Sequence, residues 1–140
     1  MINMQGVVAQ QEDQKLLTPE DVEEVTGMKY IQLMPKGEEE QAVGDLNFTK
    51  QDGTPVLMVN VQSEAVYKAW KNQEGLFHSD VQGLGDEAFK GPETGDSRYI
   101  LVFRKGEYAV SLSSYFETEE KPFLSVDDLK ELADTIDSRL

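Results

Sequence analysis

Two stretches of this chain have their hydrogen bonding most simply satisfied by antiparallel pairing, and they constrain the fold more than any other feature. In the first, Leu46 and Phe48 keep a two-residue period within Val43 to Thr49. Lys50-Gln51-Asp52-Gly53 then supplies an Asp-Gly turn, and Val56-Leu57-Met58-Val59-Asn60-Val61 follows as a nearly continuous β run. In the second, Arg98 to Arg104 is apolar on both faces, as a central strand is, and Lys105-Gly106 turns the chain. Glu107 to Tyr115 returns with Tyr108, Val110 and Leu112 expected inward and mostly small residues opposite. Tight turns join antiparallel strands, because parallel ones need a long crossover.

Helices bracket these hairpins. Thr18 reads as an N-cap, Pro19 as the first helical residue and Glu20 and Asp21 as acids in the positive first turn. Leu17 and Val22 are spaced for a hydrophobic staple, and Gly27 ends the helix after about two turns. Ser63 is expected to cap a second short helix from Glu64 to about Lys71, with Val66, Ala69 and Trp70 as its inward stripe. Ser125 caps the last helix, Asp127 and Asp128 load its first turn, and Leu124 can staple to Leu129. Leu129, Leu132, Ala133, Ile136 and Leu140 make its apolar face. The two capped segments, Leu16 to Val22 and Phe123 to Leu129, are alike in pattern.

Between these elements the pattern is weaker. Met28 to Met34 reads as a short strand and Glu38-Glu39-Glu40 as a solvated loop. Asn72 to Gly95 is loop-rich, with order expected at Val81 to Gly85 and a small strand around Ala88-Phe89. Residues 1–15 read as a flexible polar tail and 16–140 as a single domain. The fold class is α+β: an antiparallel, hairpin-based sheet covered by two short helices and one longer C-terminal helix.

Charge narrows the function classes. Lys and Arg number 13 against 27 Asp and Glu, a formal net charge of −14. Such a body repels phosphate backbones and anionic membrane surfaces, and Arg98, Arg104 and Lys105 are the only tight basic group. No nucleic acid is expected as a partner, whereas a basic protein or a cation would be attracted. The chain has no cysteine, which excludes disulfides, zinc–thiolate sites and thiol nucleophiles. No segment approaches the roughly 20 apolar residues of a membrane span. The opening residues lack the basic and apolar regions of a signal peptide. The expected location is extracytoplasmic if such a segment was trimmed, and cytoplasmic otherwise.

No catalytic, cofactor-binding or metal site is expected. The only histidine, His78, has Ser79 and Asp80 beside it in sequence, but a triad converges from separate segments. Asp86-Glu87 is an adjacent carboxylate pair that more simply terminates the Gly83-Leu84-Gly85 turn. Asp45, Asp52, Asp80, Asp86 and Asp96 fall near loops without calcium-loop spacing. Gly83-Leu84-Gly85 lacks the rest of a phosphate loop. Trp70 with Tyr67 either lines a ligand pocket or fills the core, the core being the simpler reading. Tyr99, Tyr108, Tyr115 and Phe116 gather aromatics on the second hairpin, where an exposed edge would bind a partner by strand addition.

Val81-Gln82-Gly83-Leu84-Gly85-Asp86-Glu87-Ala88-Phe89, followed by Tyr99 to Val110 with its Lys105-Gly106 turn, resembles small bacterial secreted lipoprotein domains of unknown function. It is also similar to extracellular sensor domains of bacterial serine/threonine kinases. Leu46-Asn47-Phe48 stands where such domains often carry a cysteine. The resemblance spans most of residues 16–140 and implies no catalytic residues. It implies a non-enzymatic binding or sensing domain of the cell envelope, with a protein or small-molecule ligand. The alternative is an intracellular acidic interaction protein, inhibitor or immunity-like, with a basic partner.

Overall fold

A computed structural model describes residues 16–33, 44–74, 79–91 and 99–140. The order of elements is α1 (Pro19–Thr26), β1 (Gln32–Leu33), β2 (Gly44–Thr49), β3 (Pro55–Ser63), α2 (Ala65–Glu74), β4 (Ser79–Asp80), β5 (Glu87–Lys90), β6 (Ile100–Lys105), β7 (Tyr108–Ser114) and α3 (Val126–Arg139). The strands form one seven-stranded sheet in the order β1-β2-β3-β7-β6-β5-β4, every neighbouring pair antiparallel. The α+β class read from the sequence is therefore what the chain adopts.

Alternation along the strands divides the protein into three layers. Phe48, Leu57, Val59, Val61, Leu101, Phe103, Val110 and Leu112 bury one face beneath α1 and α3, which contribute Val22, Leu129, Leu132, Ala133 and Ile136. Fully burying each large apolar side chain stabilises by about 1.5–3 kcal/mol, so this layer carries most of the stability. The opposite face is split. Its β5–β6 half holds Phe89 and Val102, which pack with Ala109 of β7 against Tyr67 and Trp70 of α2. Its β2–β3 half presents Asn47, Met58, Asn60 and Gln62, all partly exposed.

Both outer helices begin as their caps dictate. Thr18 and Asp21 exchange side-chain and backbone hydrogen bonds in a capping box, and Ser125 and Asp128 do the same. Gly27 closes α1 at φ 78°, where a side chain would be strained. Arg139, at the end of α3, donates to Asp21 Oδ2 at 2.8 Å and to the Leu16 carbonyl at 3.1 Å. That clamp ties the end of α3 to the start of α1 within one layer.

Several details differ from the sequence reading. Strand structure between Met28 and Leu33 is confined to Gln32–Leu33, because Tyr30 adopts φ 62° and breaks the extended run. Ser63 does not start α2: it is still in the β3–β7 ladder opposite Tyr108, and the helix begins at Ala65. The inward stripe of α2 is correspondingly rotated, with Tyr67 buried, Val66 and Trp70 half-buried and Ala69 exposed. Tyr108 is exposed rather than inward: it shares the parity of Val110 and Leu112, but it is the first residue of β7, beside the Gly106 turn and opposite Ser63 at the end of β3, where the core layer has run out. The second hairpin lies in the middle of the sheet, so it offers no edge for strand addition; the edges are the two-residue strands β1 and β4. Among the described residues no helix is long and apolar enough to cross a membrane.

Candidate functional site

The turn from Val81 to Asp86 is built for close packing. Gly83 and Gly85 have φ 79° and 56°, and a Cβ on Gly85 would stand 2.6 Å from the Arg104 carbonyl oxygen. Gly85 N–H donates to Asp137 Oδ2, Asp86 N–H to the Arg104 carbonyl, and Gly106 N–H to Asp86 Oδ2. Lys105 Nζ meets Asp137 Oδ1 at 2.9 Å. Asp86 thus ties the glycine turn to the β6–β7 turn, while Glu87 starts β5. The turn is a structural knot, and it presses β5 against β6 in the register that pairs Glu87 with Arg104.

That pairing builds a groove. Helix α2 crosses the β5–β6 half of the sheet and leaves beside it a groove of about 490 Å³, lined by Glu64, Tyr67, Lys68, Lys71, Asn72, Glu87 and Arg104. Lys71 Nζ lies 2.9 Å from Glu87 Oε2 and 3.9 Å from Asp80 Oδ1. Arg104 approaches Asp86 Oδ2 at 3.6 Å and Glu87 Oε1 at 3.7 Å. A smaller hollow of about 190 Å³, between Lys71 and the 81–86 turn, shares Lys71 and Glu87 with the groove.

Tyr67 is the unusual member. Its side chain is 4% exposed and its ring meets Phe89 edge-on at 5.5 Å, yet its hydroxyl is shut from solvent and has no hydrogen-bond partner among the described residues. Buried polar groups are nearly always paired, and leaving one unpaired costs about 1–3 kcal/mol. Burial, then the negative charges of Glu87 and Asp80, push its phenol well above the ordinary value, with Arg104 opposing. The group stays a protonated donor. The hydrogen bond from Lys71, aided by the positive charges of Lys71 and Arg104 and by a weaker, longer contact with Arg104, holds Glu87 below its ordinary value against the opposing effect of burial. The same bond raises Lys71.

The residues weighed from sequence fall into three groups. Tyr67 lines the groove, Trp70 packs beside it in the apolar cluster, and Asp80 and Asp86 line the smaller hollow. Asp52 lies in the β2–β3 turn, where its Oδ1 accepts from Thr54 N–H, and Asp45 is in β2, at the other end of the sheet from β5. His78, Arg98 and Asp96 lie outside the described residues, as do Glu38 to Glu40 and the 1–15 tail. Among the described residues no three His, Asp or Glu side chains converge as a metal site would require. Glu64, Lys68, Lys71 and Asn72 did not stand out in the sequence. Their one signal is helical spacing, since Glu64, Tyr67, Lys68 and Lys71 share a face at steps of three and four. Comparison with known protein families, curated proteins and solved structures found no match to the chain.

Proposed function

We propose that this protein is a non-enzymatic binding or sensing domain whose ligand site is the groove between α2 and strands β5 and β6. The observation that carries the reading is the buried hydroxyl of Tyr67, without a partner among the described residues, in the wall of that groove. A phenylalanine would fill the same space without the cost, so the hydroxyl is accounted for by a ligand that accepts its hydrogen bond. The electrostatic setting of the groove supports binding over catalysis. Tyr67 and Lys71 are raised and Glu87 is lowered, away from neutrality, whereas acid–base catalysts are tuned toward it. The cell-envelope setting is supported by the resemblance of the Val81–Phe89 and Tyr99–Val110 segments.

A second reading, an acidic interaction protein with a basic partner, is favoured by one feature. Helix α1 carries four acids and no base, and α3 carries five acids and two bases, so this layer holds half of the net charge of −14. One experiment separates the readings. Backbone amide shifts are followed by NMR during titration with a chemically diverse small-molecule set and, separately, with an oligolysine peptide. The groove reading expects saturable small-molecule shifts confined to Tyr67–Asn72, Glu87 and Arg104. Shifts confined to α1 and α3 with the peptide alone would replace it by the second reading.

A further inference from the structure

Building on the groove as the ligand site, we propose that it takes a small organic monocarboxylate, received by Arg104 and Lys68 and then by the Tyr67 hydroxyl. The groove is lined by three cations, Lys68, Lys71 and Arg104, against two carboxylates, Glu64 and Glu87, so it carries a net positive charge on an acidic protein. Lys71 and Glu87 satisfy one another at 2.9 Å. Arg104 carries five N–H donors, and its nearest carboxylate oxygens stand at 3.6 and 3.7 Å, longer than a hydrogen bond. Its side chain is 30% exposed, so a ligand in the groove can reach it. Lys68 lines the same wall and has no ion-pair partner among the described residues. Tyr67 is the third donor, orphaned and buried.

Three donors lining one groove suit an oxyanion, and the planar fork of arginine matches a carboxylate through two parallel bonds. A single negative charge is favoured over a double one, because the chain's net charge of −14 penalises every added anion. A groove of about 490 Å³ is of the size that holds a small organic molecule. The Tyr67 hydroxyl is shut from solvent, so a ligand that bonds to it requires groove side chains such as those of Lys71 and Glu87 to move. Those side chains are 30% and 42% exposed, and pairs so exposed hold weakly.

The chain contains one tryptophan, Trp70, packed in the same cluster as Tyr67, so its fluorescence reports occupancy. The probes are 4-phenylbutyrate, its neutral amide and inorganic phosphate, with amide shifts of Arg104 and Tyr67 confirming the place of binding. Saturable binding of the acid is expected, with the neutral amide about 10-fold weaker or more, as loss of a charge-assisted bond implies. Arg104→Gln weakens the acid to a similar extent. Tyr67→Phe weakens it by about 10-fold or more, the worth of one hydrogen bond to a charged acceptor, while raising the Tm of the unliganded protein. A purely structural tyrosine would not separate affinity from stability in this way. Equal binding of acid and amide, tighter binding of phosphate, no binding of the acid, or an unaffected Tyr67→Phe would each overturn the proposal. Small-molecule shifts at the groove in the broader titration would still leave the groove reading standing.

Discussion

Two glycines of one turn show how differently neighbouring residues are constrained. Gly83 and Gly85 both have positive φ, but a Cβ on Gly83 meets nothing within 4 Å. On Gly85 it would lie 2.6 Å from the Arg104 carbonyl oxygen and 2.9 Å from Phe103 Cδ2, a side chain held in the main core. Gly83→Ala therefore bears only left-handed backbone strain and is expected to lose about 1–2 kcal/mol. Gly85→Ala adds a backbone clash and is expected to lose about 3 kcal/mol or more. Urea denaturation of both variants measures the gap, and equal losses would refute the close-approach argument. Arg104 is a groove residue, so Gly85→Ala should also disturb ligand binding.

At the scale of elements, the clamp between α1 and α3 gives stability a defined pH dependence. Asp21 accepts hydrogen bonds from Thr18 N–H and Oγ1 and from Arg139 Nη1, at 2.9, 2.9 and 2.8 Å. Burial alone would raise its carboxyl, but these bonds and the Arg139 charge outweigh it, and the group is lowered. A carboxyl lowered on folding stabilises above its unfolded value, near 4, and the contribution is lost as pH falls through the folded value. Arg139→Ala should therefore cost about 1 kcal/mol at pH 7, discounted because the guanidinium is partly exposed. The difference from the wild type should shrink progressively below about pH 4. Thermal unfolding across pH tests this, and a difference that grew in acid would contradict the clamp.

At the scale of the whole molecule, the uneven charge sets the response to salt. Half of the net charge of −14 resides in α1 and α3, which pack side by side on one face of the sheet. Like charges held this close repel, and the ion pairs described are partly exposed and few. Screening should therefore relieve more repulsion than attraction. Raising NaCl from about 20 mM to about 300 mM, which shortens the screening length to within the helix spacing, is expected to raise the Tm. A rise of about 2–4 °C is the expected scale for a domain of this size. A fall would mean that the Arg139–Asp21 and Lys105–Asp137 pairs outweigh the repulsion.

Thr18, Gly27, Ser125 and the Leu129–Ile136 stripe were readable because caps and helical stripes are local: the residues that satisfy one another lie within about one turn. The Asp52-Gly53 and Gly106 turns were readable for the same reason, and with them the antiparallel class. Tertiary structure alone decided which face of α2 is buried, exchanging Ala69 for Tyr67, and that β6–β7 sits mid-sheet with Tyr108 outside. It also decided that Glu87 and Arg104 stand opposite one another beneath Lys71. Such meetings join residues far apart in the chain, and their geometry follows from sheet register and layer packing. No spacing within a single segment encodes those two quantities.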